Sequence, residues 1–104
     1  MRKLYYKLVR DRIPEIIEEA GKEFSVSRAD SSHLRDYTMK KLIEEVSEFI
    51  EEPCVEEAAD ILEILDFICK REGITQTEIE AARISKYIRR GSFQEGYILE
   101  WVKE

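Results

Sequence analysis

The chain has 104 residues, 38% of them charged and 43% apolar, so one domain over residues 1–104 is expected, with a core of modest size. The formal net charge of −6 argues against a general nucleic-acid binder, which carries a basic face. No apolar run approaches the ~20 residues of a membrane span; MRKLYYKLVRDR lacks the apolar centre of a signal peptide, so the cytoplasm is the expected location.

Residues 1–12 mix Arg2, Lys3, Lys7, Arg10 and Arg12 with Tyr5, Tyr6, Leu8 and Val9, and read as an extended or irregular basic arm. Pro14 suits the first turn of a helix, where its missing N–H costs nothing. A short helix follows through PEIIEEA and stops at Gly21. Residues 22–31 read as a connector, with room for a brief extended stretch at Phe24 and Val26. Asp30, Ser31 and Ser32 offer N-caps to a second helix. From Met39 onward, Leu42, Ile43, Val46, Phe49 and Ile50 follow helical spacing. On its wheel Lys41, Glu44, Glu45 and Glu48 form a stripe bordering the apolar face.

Pro53 ends that helix and can open the third in its first turn. Ala58, Ile61, Leu62, Ile64, Leu65, Ile68 and Cys69 give the third helix a broad apolar face up to Gly73, with Glu57 and Asp60 at its border. So short a link between two long helices predicts an antiparallel hairpin. Thr75 with Glu78 fits a capping box, T-x-x-E. A fourth helix is expected from Gln76 to Arg90, with Ile79, Ala82, Ile84 and Tyr87 partly buried. It ends in basic residues and stops at Gly91. The tail, with Phe93, Tyr97, Ile98, Leu99, Trp101 and Val102, is expected to dock onto the helices. Phe93 and Trp101 have a competing use, stacking on a base.

Cys54 and Cys69 both fall in the predicted third helix, roughly 22 Å apart at about 1.5 Å per residue, too far to bond to each other. Neither belongs to a CxxC or Cys/His cluster, so buried reduced thiols are expected rather than a zinc site. His33, near the start of the second helix, reads as a surface or capping residue.

The acidic residues carry the chemistry. Glu45 and Glu48 stand three apart on one helix, Glu57 and Asp60 three apart on the next, and residues so spaced share a helix face. In an antiparallel hairpin the four carboxylates converge and repel each other unless a cation lies between them. Oxygen-rich sites suit Mg²⁺ or Mn²⁺, and Mg²⁺ commonly bridges a protein to phosphates. A solvated acidic surface is the competing reading of the same residues.

The arrangement Glu44-Glu45-Val46-Ser47-Glu48 followed by Glu57-Ala58-Ala59-Asp60, EExxE then ExxD, resembles the signature of the MazG-like all-α nucleotide pyrophosphohydrolases. That superfamily includes phosphoribosyl-ATP pyrophosphohydrolase and the dimeric dUTPases. YKLVRDRIPEII, residues 6–17, resembles the opening of a small phosphoribosyl-ATP pyrophosphohydrolase-like branch. Lys86, then RGSF, then YILEW resembles its closing segment, so the likeness covers nearly the whole chain. Two departures stand out: a short interval between Glu48 and Glu57, and Ser92 where the branch usually has a second glycine.

The resemblance implies an all-α fold in which a helical hairpin carries the acidic motifs beside one or two further helices. It also implies a homodimer or homotetramer with a four-helix-bundle core. Glu45, Glu48, Glu57 and Asp60 are then expected to hold Mg²⁺, with Mn²⁺ as a substitute. The implied activity is hydrolysis of the α–β phosphoanhydride of a nucleoside triphosphate or related nucleotide, yielding a monophosphate and pyrophosphate. Glu44 and Glu45 are the candidate catalytic carboxylates. Lys7, Arg10, Lys41, Lys86 and Arg90 are the candidate phosphate ligands. Lys41 has a competing role as an i,i+4 partner of Glu45, and Lys86 and Arg90 as cations at a helix C-terminus. Two other functions remain open: a catalytically weak regulatory module that binds nucleotide or metal, and a non-enzymatic helical dimerisation domain.

Overall fold

The computed structural model describes residues 1–103. Four helices follow in order, α1 (Ile13–Glu19), α2 (Ser31–Glu51), α3 (Val55–Arg71) and α4 (Gln76–Arg90), and no strand occurs among the described residues. The chain is therefore all-α, as the periodicity predicts. Two compact units divide it. Residues 1–68 hold the basic arm, α1, α2 and most of α3; the second unit begins at Cys69.

Local chemistry places the helix ends. Pro14 lies in the first turn of α1, and the chain leaves that helix at Gly21 with φ 74°. Asp30 caps α2 by accepting the His33 backbone N–H at 2.9 Å, and its carboxylate also pairs with the His33 ring. The backbone N–H of His33, more than its ring, holds the Asp30 carboxyl far below the usual range; the same carboxylate raises the imidazole. His33 is thus part of the cap.

α2 ends at Glu51, and Glu52 has extended dihedrals (φ −143°, ψ 86°), the conformation a following proline favours. Pro53 then lies in the link, not in the first turn of α3. The Cys54 carbonyl accepts the first bond of α3, from Ala58 N–H at 3.0 Å, so Cys54 stands just outside the helix. Both cysteines are free and half-buried.

The three-residue link folds α3 back along α2. Carboxylate oxygens of Glu45 on α2 and of Glu57 and Asp60 on α3 lie within 4.8 Å of one another, which only an antiparallel hairpin allows. The buried set is small. Among the described residues it comprises Ile64, Thr38 and Glu45, and Ile64 is the one apolar member. The Thr38 hydroxyl donates to the Arg35 carbonyl one turn back at 2.8 Å, so its burial leaves no donor unpaired. Much of the apolar face of the hairpin stays open, with Ile50 73% and Leu62 65% exposed.

In the second unit the Thr75–Glu78 capping box forms in both directions. Of the α4 residues expected to be partly buried, Ile79 is; Ala82, Ile84 and Tyr87 are exposed. The tail also departs from expectation. Phe93 is 98% exposed, and Tyr97, Ile98, Leu99, Trp101 and Val102 are exposed with it. None of the helices, among the described residues, is long and apolar enough to cross a membrane.

Candidate metal centre

Three of the four expected ligands converge. Glu45 reaches inward from the middle of α2, and Glu57 and Asp60 stand one turn apart near the start of α3. Glu45 is only 5% exposed. Its Oε1 is 3.2 Å from Lys41 Nζ, but its Oε2 is buried without a hydrogen-bond partner. Glu57 Oε2 is buried and unpartnered too. Such orphans are rare, because an unsatisfied buried polar atom costs about 1–3 kcal/mol. Here two of them belong to carboxylates of one cluster. An oxygen-seeking divalent cation would satisfy both lone-pair sets and offset the repulsion, so the three carboxylates could hold Mg²⁺ or Mn²⁺. Glu48, one turn beyond Glu45 and half-buried, lies outside the converging set. It is close enough for its charge to act on Glu45 and on Lys7.

The cations gather on the same cluster. Lys7 Nζ donates to Glu44 Oε1 at 2.9 Å, and Arg10 Nη2 donates to Asp60 Oδ1 at 2.7 Å. Lys41 Nζ lies 3.2 Å from Glu45 Oε1 and 3.5 Å from Glu44 Oε2. The basic arm therefore lies over the acidic face of the hairpin. Arg12, the last of the five arm cations, turns away to Glu15 at 3.2 Å. Lys86 and Arg90 stand in the last turns of α4, in the second unit, and are exposed.

The two candidate catalytic carboxylates are adjacent in sequence and opposite in character. The hydrogen bond from Lys7 holds the Glu44 carboxyl below its ordinary value. Burial pushes the Glu45 carboxyl up, and Lys41 only partly offsets it. Glu44 is thus a stabilised anion with weak basicity. Glu45 is held in a site that disfavours its charge.

The sequence pointed to every residue of this cluster but not to the pairing. Nothing in the arm's spacing specifies that Lys7 meets Glu44 while Arg10 meets Asp60. The bend at Tyr6, a non-glycine residue at φ 44°, carries no sequence signal either. Compared with known proteins, the chain matches no family model, no curated protein and no solved structure.

Proposed function

We propose that the protein is a Mg²⁺-dependent nucleotide pyrophosphohydrolase, splitting the α–β phosphoanhydride of a nucleoside triphosphate or related nucleotide. The observation that carries this reading is the pair of orphaned oxygens, Glu45 Oε2 and Glu57 Oε2, within a three-carboxylate cluster. The EExxE and ExxD motifs, with their likeness to MazG-like enzymes, add the substrate class.

Glu45, Glu57 and Asp60 would hold the metal, with Glu48 as a fourth carboxylate one turn away. When bound, Mg²⁺ supplies neutralising charge to the triphosphate oxygens as the anhydride breaks. Lys7, Arg10 and Lys41, already at the cluster, are placed to hold phosphate oxygens by charge-assisted hydrogen bonds. Lys86 and Arg90 are further candidates for that role. Of the two catalytic candidates, Glu45 would act as a ligand of the metal, and Glu44, bonded to Lys7 and beside Lys41, would orient those cations or the attacking water.

The proposed assembly is a homodimer or homotetramer, in which the apolar faces of two hairpins close a four-helix core. Its support is the exposure of Ile43, Ile50, Val55 and Leu62 on or beside α2 and α3, where Ile64 is the one buried apolar side chain among the described residues. The same exposure favours a second reading, a helical dimerisation domain without catalysis. Incubating the protein with a panel of ribo- and deoxyribonucleoside triphosphates and Mg²⁺ separates the two. Release of pyrophosphate, abolished in Asp60→Asn, is expected; no turnover of any nucleotide overturns the enzyme reading.

A further inference from the structure

The arm places two cations on the acidic face of the hairpin, and one of the carboxylates they hold belongs to the converging three. Arg10 Nη2 sits 2.7 Å from Asp60 Oδ1, and Asp60 belongs to the converging three. We propose that the basic arm is an internal counter-ion strap, which neutralises the acidic cluster before metal is bound and must release Asp60 for the metal to enter. This proposal rests on the reading of Glu45, Glu57 and Asp60 as a divalent-cation site.

Three observations beyond the Arg10 contact support a strap with two seats. Lys7 Nζ is anchored 2.9 Å from Glu44 Oε1, so the arm meets the hairpin on α2 as well as on α3. The arm also has internal order: the Lys3 and Lys7 ammonium groups lie 5.2 and 5.7 Å from the centre of the Tyr5 ring, within cation–π range. Between the ring and the anchor, Tyr6 adopts φ 44°, a left-handed conformation that side chains other than glycine rarely take.

The two seats differ in what they do. Glu44 is not among the converging ligands, so Lys7 can stay bound when a cation enters. If Asp60 ligates a metal, Arg10 loses sole use of that carboxylate, and its charge opposes the incoming cation. Its guanidinium is then available to another anion beside the cluster. Arg10 thereby alternates between two anions, Asp60 before metal loading and a substrate phosphate after it. Both contacts are of the charge-assisted type a guanidinium favours.

The test is the affinity of the full-length protein for Mn²⁺ alone, read by electron paramagnetic resonance or calorimetry without nucleotide. Arg10→Gln removes the competitor from an exposed position and leaves the helices intact. Arg12→Gln removes the same charge from a residue paired with Glu15, away from the cluster. The expected result is a Kd for Mn²⁺ about two- to fivefold lower in Arg10→Gln, the range set by an exposed ion pair, and a smaller change in Arg12→Gln. Tryptic cleavage after Arg10 should quicken in the parent when Mn²⁺ is added, because the protease must take up the guanidinium that Asp60 holds. A Kd in Arg10→Gln no lower than in Arg12→Gln, or cleavage that Mn²⁺ leaves unchanged or slows, overturns the strap. Asp60→Asn separates this failure from that of the metal site. If Asp60→Asn binds Mn²⁺ as the parent does, or the parent binds none, the site itself is misassigned and the strap falls with it.

Discussion

Glu45 joins burial, an unpartnered oxygen and a raised pKa in one side chain. The raised value has a direct consequence for stability. A carboxyl whose folded pKa lies above its ordinary 4.5 binds its proton more tightly in the native state. Its contribution is therefore fully present below pH 4.5 and is lost as pH rises through the folded pKa. At neutral pH and without metal, Glu45 is a liability. Glu45→Gln should raise stability there by about 1 kcal/mol, the low end for relieving a buried unsatisfied charge. It should also remove any stabilisation by Mg²⁺, as thermal melts at pH 7 with and without metal will show. Glu44 acts with the opposite sign: its lowered pKa gives stability above the ordinary value that is lost on acidification. Lys41 touches both residues. If it also grips phosphate in ground and transition states alike, Lys41→Ala raises KM more than it lowers kcat. A fall in kcat at constant KM would assign it to Glu45 alone.

The hairpin depends on its ends. Glu52 and Pro53 stop α2, the link turns the chain, and the acidic residues of two helices come within ligand distance. In the second unit, α4 depends on caps at both termini. Thr75→Ala removes the hydroxyl that accepts the Glu78 N–H and donates to Glu78 Oε1, keeps the bond from the Thr75 backbone N–H, and should cost about 1 kcal/mol. At the other end Gly91 adopts φ 79° and ψ −165°, a region essentially confined to glycine. A Cβ there meets nothing within 4 Å, so Gly91→Ala is opposed by backbone strain alone, on the order of 1–3 kcal/mol. Urea unfolding followed by far-ultraviolet circular dichroism measures both. A Thr75→Ala protein as stable as the parent would show that α4 draws its stability from elsewhere.

For the whole molecule the governing fact is thin burial. Two long amphipathic helices that fully bury one apolar residue between them, with the rest half-buried or exposed, leave surface that monomers rarely expose. Light scattering at micromolar concentration should return a dimer or larger. Leu62→Glu or Ile50→Glu should shift the protein towards monomer and lower its melting temperature, because a charge would enter the buried face of the assembly. A monomeric mass for the parent removes the four-helix core from the proposal. Divalent metal should stabilise the native state by mass action, about 2.7 kcal/mol at a hundredfold excess over Kd. An unchanged melting temperature at millimolar Mg²⁺ or Mn²⁺ counts against the site.

Helix periodicity, the Asp30 cap, the Thr75–Glu78 box and the stops at Gly21 and Gly91 are written in the sequence, because each depends on residues within a few positions of one another. The convergence of Glu45, Glu57 and Asp60 is legible for the same reason: a three-residue link leaves the two helices one way to run. The tertiary structure alone decided what lies far apart along the chain. Arg10 meets Asp60 across fifty positions and Lys7 meets Glu44 across thirty-seven, and no local rule chooses among five arm cations and a row of carboxylates. Glu48 shares a face with Glu45 in the sequence pattern, yet only Glu45 joins the converging set. The tail reads as a docking segment by composition, yet stands exposed, since apolar residues supply only a driving force and the surface that receives them must come from the fold or from a second chain.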